Sequence, residues 1–133
     1  MSTVKHIQVD TFPPISNINK ELKRTQHVLH EMFNRFPSEN NTNTLEHAEI
    51  ALDGYCYVPE HLKVWAGRYV RYINMSKAFD MKLMVGGFVV NDNGYTVTLK
   101  THFGVHRVSK RGCLWFMAMI EEDIHRINMK NIL

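Results

Sequence analysis

Apolar positions along the chain follow a helical period at its start and alternate by twos in its second half. From Ile18 to Phe36 the residues Ile18, Leu22, Thr25, Leu29, Met32, Phe33 and Phe36 fall on one stripe at 3.6-residue spacing. Lys20, Lys23, Arg24, His27, His30, Glu31 and Asn34 cover the opposite side. This predicts a first helix over 18–36, with Asn17 as its N-cap and Pro37 as its stop. Asn43 followed by Glu46 reads as a cap pair for a short helix over 44–52, closed by Asp53-Gly54. Pro59 suits the first turn of a third helix over about 59–78. On its wheel Leu62, Trp65, Ala66, Tyr69, Tyr72 and Ile73 form the apolar face. Lys63, Gly67, Arg71 and Asn74 lie opposite, with Arg68 at the margin beside Tyr72 as a cation–π pair.

Past residue 80 the period changes. Met81 to Val90 reads as a strand, and Asn91-Asp92-Asn93-Gly94 as a turn. Tyr95, Val97, Leu99, Thr101, Phe103 and Val105 then alternate with Thr96, Thr98, Lys100, His102, Gly104 and His106. That pattern predicts one long strand with a buried and a wet face, bulged at Gly104. A last helix is expected over 113–128, apolar nearly all round: Cys113, Phe116, Met117, Ile120, Ile124 and Ile127 on one side, Trp115 and Met119 on the other. Lys5 to Val9 suits a short strand before Pro13-Pro14. The expected fold is α+β: a single domain over 1–133, with residues 1–16 an extended N-terminal arm. It has a small antiparallel sheet (long hairpin 81–108) packed by about four helices.

Composition changes this picture little. A chain of 133 residues with 44% hydrophobic and 22% charged residues is that of an ordinary globular domain. No apolar run approaches the roughly 20 residues that span a bilayer. The start of the chain has no apolar segment of signal-peptide type, so a cytoplasmic location is expected. Cys56 and Cys113 stand far apart without CxxC partners, which points to reduced thiols. Eleven Asn and nine Lys suggest an AT-rich genome, consistent with a viral or phage protein acting in the host cytoplasm.

Charge placement is the informative part. Residues 61–111 carry nine Lys/Arg against two acids, whereas 1–60 carry five against eight and 112–133 carry two against three. A domain that gathers like charges is suited to hold an anion. The leading expectation is a small nucleic-acid-binding regulatory or accessory protein. Its contacts would be Lys63, Arg68, Arg71, Tyr72, Lys100, His102, Arg107, Lys110 and Arg111. An adaptor or inhibitor that binds an acidic protein through the same basic surface is the alternative. A phosphate-ester enzyme using His102 and His106 as acid and base is the third reading. Trp115 and Met119, on the second side of an all-apolar helix, are expected at a homodimer interface.

Motifs exclude more than they assign. The chain has no P-loop, GxGxxG, HExxH or GxSxG. His27 and His30 stand three apart on the wet side of the first helix without the further ligands that a metal needs. Glu121-Glu122-Asp123 point in different directions on a helix and make no catalytic pair. No catalytic residue, cofactor, metal site or membrane contact is assigned.

Overall fold

The computed structural model describes residues 18–119. Its elements are α1 (Ile18–Arg35), α2 (Glu39–Ala51), β1 (Tyr55–Val58), β2 (Tyr69–Asn74), β3 (Leu83–Asp92), β4 (Thr96–Thr101), β5 (Gly104–Ser109) and β6 (Cys113–Ala118). The strands form one six-stranded sheet in the order β1-β6-β2-β3-β4-β5, every neighbouring pair antiparallel. Among the described residues no helix is long and apolar enough to cross a membrane. The N-terminal arm, its short strand and the last helix beyond 119 lie outside the described residues.

Helix α1 follows its stripe. Leu29 and Phe33 are buried, each worth roughly 1.5–3 kcal/mol of transfer free energy. Thr25, also on the stripe, has a polar task. Its hydroxyl accepts from the Tyr57 N–H (2.9 Å) and lies 3.1 Å from the Tyr55 carbonyl, closing the outer edge of β1 against α1. On the wet side, His27 faces Glu31 at 3.3 Å and His30 meets Glu49 of α2 at 3.0 Å. Helix α2 starts earlier than its expected cap, because Ser38 accepts from the Asn41 N–H. Asn41 is buried: its amide donates to the Phe36 and Ala78 carbonyls and accepts from Met81 N–H.

The sheet, with two helices among the described residues, overturns the expected packing by about four helices. Two expected helices are strands. The 59–78 segment is a loop followed by β2, where Tyr69 to Ile73 is a β-branched and aromatic run that pairs with both β6 and β3. The 113–118 part of the last helix is β6, held between β1 and β2. The expected long strand from 95 also breaks. It ends at Thr101, turns over His102 and Phe103, and returns as β5, with Gly104 at φ +109 at the turn instead of a bulge.

Strand β6 explains how this sheet makes two cores. Leu114 and Phe116 pack with Leu29, Phe33, Ala48 and Leu52 under the helices. Trp115 and Met117 point the other way and join Cys56, Val58, Val70, Val89, Val97 and Leu99. The 59–68 loop covers that second cluster with Val64, Leu62 and Trp65. Met119 is buried there too.

Burial of the two cores sets an alkaline limit. Burial, with Glu21 adding, pushes the Cys56 thiol up to about 12 from its ordinary 9.0. Burial also raises Cys113, Tyr55, Tyr57 and Tyr72. The unfolded chain releases the Cys56 proton near 9 while the folded chain keeps it, so the unfolded state binds fewer protons in that window. Stability is therefore full below pH 9 and falls as pH rises towards about 12. Urea midpoints at pH 7.5, 9 and 10.5 are expected to decrease in that order, and a rising series would contradict this account.

Candidate nucleic-acid interface

Residues paired directly across antiparallel strands project from the same face. Tyr69 pairs with Phe88, Phe88 with Lys100, and Lys100 with Val105. These four side chains make one row across β2, β3, β4 and β5, about 14 Å long at the usual strand spacing. Arg71 shares that face through its pairing with Phe116, and Arg107 through its pairing with Thr98. Phe116 lies under the helices, so this is the helix-bearing face of the sheet. The helices cover its β1-β6-β2 half. Beyond them Phe88 is 55% and Val105 63% exposed, and Lys100 and Arg107 are exposed.

Local bonds hold this open half in shape. The Tyr69 ring meets Phe88 edge-on, with centroids 5.0 Å apart at 86°, and its hydroxyl donates to the Val85 carbonyl at 2.7 Å. Arg71 Nε donates to the Met84 carbonyl at 3.0 Å. None of the residues in these rows is acidic. The result is a surface of two aromatic rings and three cations, in which Phe88 and Lys100 are strand neighbours.

The other expected contacts are dispersed. Lys63 is exposed on the 59–68 loop, which covers the opposite face. Arg68 lies over the Trp65 ring at 5.3 Å, not over Tyr72. Tyr72 stacks on Trp115 at 4.8 Å, on the other side of the sheet. Arg111 is exposed in the turn before β6. Lys110 is 1% exposed, with its Nζ 2.7 Å from Asp92 Oδ2, so its charge is spent inside the fold. Trp115 and Met119 are covered by the chain's own core and do not present the outward apolar side expected of them. Arg71, Lys100 and Arg107 are the expected contacts that come together. Phe88 and Tyr69 were absent from the expected set, and period-two alternation through Phe88 was the signal that could have found the first.

A groove of about 800 Å³ is lined by Phe88 and Lys100 of the row, by Tyr72, Leu99 and His106 of the opposite sheet face, and by His102 and Phe103 of the β4–β5 turn. Both histidines therefore border one cavity. No carboxylate lines it among the described residues to orient either imidazole. No group of three or more His, Cys, Asp or Glu side chains suited to a metal occurs among the described residues. No protein-family model, curated protein or solved structure matches this chain.

Proposed function

We propose that this protein binds single-stranded nucleic acid on the open half of its sheet. The observation that carries the reading is the in-register row Tyr69-Phe88-Lys100, half-buried at Tyr69 and exposed at Phe88 and Lys100, and flanked by Arg71 and Arg107. Unstacked bases lie on the exposed Phe88 ring, and the backbone phosphates meet the three cations. A row of this width accommodates two or three bases, the number that four-stranded sheets commonly stack. Duplex is disfavoured, because its bases are not free to stack on a flat aromatic surface. Recognition through ring stacking and cation–phosphate contacts is electrostatic and tolerant of sequence.

Fluorescence anisotropy with short labelled oligo-dT, oligo-U and a duplex control tests this. Three phosphate contacts on a single strand give a log–log salt slope of about −2, so affinity drops roughly twentyfold between 50 and 200 mM salt. Phe88→Ala is expected to cost about tenfold or more in affinity while leaving the fold intact, since the ring is half exposed. Equal affinity for duplex and single strand, or an unaffected Phe88→Ala, would overturn the stacking reading.

The hydrolytic alternative keeps one supporting observation, the two histidines on one groove. Cleavage of the bound oligonucleotide that His106→Ala abolishes would establish it over simple binding.

A further inference from the structure

The two edges of the sheet are treated differently. The outer edge of β1 is closed by the Thr25 hydroxyl, which meets both the Tyr57 N–H and the Tyr55 carbonyl. Strand β5 is the other edge. It pairs with β4 along its whole length, and five of its six residues are exposed. In an antiparallel pair every second residue aims its N–H and C=O away from the partner. Among the described residues strand β5 therefore presents a row of unpaired backbone donors and acceptors to the outside, the arrangement that a further strand completes.

Edges of this kind are often blunted by Pro, by a bulge or by a covering element. Strand β5 carries no Pro, its register with β4 is unbroken, and no described residue pairs with its outer side. Its side chains specify a partner. Val105 is 63% exposed beside Lys100, Arg107 stands one pair further along the same face, and Phe103 at the hairpin tip is 91% exposed. Arg111 adds positive charge, and residues 104–111 include no acid. A second copy of this strand would bring another basic edge, with no acid over 104–111, against the first. An opposite charge directly across two strands stabilises, and a like charge does the reverse.

We infer that β5 is a docking edge for an extended acidic segment of a partner protein, added as a seventh strand antiparallel to β5. The segment alternates carboxylates, which fall on the sheet face that carries Arg107 and Lys100, with apolar side chains, which fall on the other face beside Val108. Its main chain satisfies the outward N–H and C=O groups of β5. Nucleic acid does not fit this edge, because it lacks the alternating donors and acceptors of a peptide backbone. The inference shares Arg107 and Lys100 with the sheet-face reading but differs from it in resting on main-chain pairing.

The probe is a capped eight-residue peptide alternating Glu and Val. Amide hydrogen exchange of the full chain is measured with and without it. Protection is expected to appear at the β5 amides between Val105 and Ser109, while the amides of α1 and α2 stay unchanged. Methylating alternate peptide nitrogens on the pairing side is expected to weaken binding about tenfold, through loss of two or more main-chain hydrogen bonds. Arg107→Glu is expected to reverse the preference towards a Lys/Val peptide. The proposal is overturned by no binding at millimolar peptide, by binding indifferent to N-methylation, or by β5 amides already protected in a concentration-dependent dimer. Loss of oligonucleotide binding in Phe88→Ala with peptide binding retained would show the two modes of binding to be separate.

Discussion

Replacing Lys110 by Met lowers the free energy of unfolding by about 3–5 kcal/mol, the cost of leaving a buried charge without its partner. That is a large share of the roughly 5–15 kcal/mol that a domain has in total. The Lys110 ammonium lies 2.7 Å from Asp92 Oδ2 and 2.6 Å from the Leu62 carbonyl, and both charged side chains are 1% exposed. Asp92 is engaged on every side: Oδ2 also accepts the Val64 N–H at 2.9 Å and Oδ1 the Gly94 N–H at 2.8 Å. The pair thus ties the 59–68 loop, the β3–β4 turn and the start of the β5–β6 turn to one another. Met keeps most of the lysine stem, so little packing is lost. The carboxylate stays behind, desolvated and without its counter-charge. Urea titration followed by Trp115 fluorescence measures the loss, with the exposed Lys63→Met as a control expected within about 0.5 kcal/mol of the parent. A loss under about 1 kcal/mol would mean that water reaches the pair and that its burial is not retained in solution.

The same residue shows where a charge count misleads. Lys110 adds one to the basic middle of the sequence, yet it contributes nothing to the outer surface, because burial is a property of the fold and not of the residue type. Arg107, three positions earlier, has the same formal charge and is exposed on a strand face. Arg107 lies within β5, whereas Lys110 lies in the turn after it, where Asp92 and the Leu62 carbonyl hold its ammonium inside. Register decides which cations become neighbours: Lys100 and Arg107 lie diagonally on one face because Lys100 pairs with Val105 and Thr98 with Arg107.

Elements with a strong local pattern were legible. The 3.6-residue stripe of α1 bounds it to within a residue at its C-terminus. The alternation in β4, with Asn93-Gly94 before it, marks the β3–β4 hairpin. Two failures share one cause. Strand β6 has the helices over one face and the 59–68 loop over the other, so neither face is wet, and Cys113 to Ala118 shows no alternation. A continuous apolar run of six fits a buried strand or a helix equally by period, and only its shortness and the Gly112 before it favour the strand. In the 59–78 segment the apolar residues fall at helical spacing by coincidence. Leu62 and Trp65 belong to a loop over one face, whereas Tyr69 and Ile73 belong to a strand on the other. The candidate row inherits that difficulty, since Tyr69 reads as core on a helical wheel and meets Phe88 at the open surface only once β2 is a strand.

Gly86→Ala is expected to cost about 2–5 kcal/mol and to abolish oligonucleotide binding at the temperature where the parent binds. Gly86 has φ +78, where an L residue carries a penalty of roughly 1–2 kcal/mol. A Cβ there would stand 1.8 Å from the Val70 carbonyl oxygen and 2.8 Å from its carbon, so backbone has to move. Forcing such a shift in a packed region adds about 1–3 kcal/mol. The position lies in β3 where its register with β2 slips between Val70 and Tyr72. That slip brings Tyr69 opposite Phe88 after Tyr72 has paired with Met84. Displacing β3 from β2 there separates the aromatic pair and moves Phe88 relative to Arg71, so the binding surface fails together with the strand pairing. Gly94→Ala isolates the two contributions: it has φ +93 but nothing within 4 Å of its Cβ, so it loses only the conformational part. Equal unfolding losses for the two variants would show that β3 yields freely at Gly86. The row from Tyr69 to Lys100 would then not be held rigidly enough to pre-organise for stacked bases.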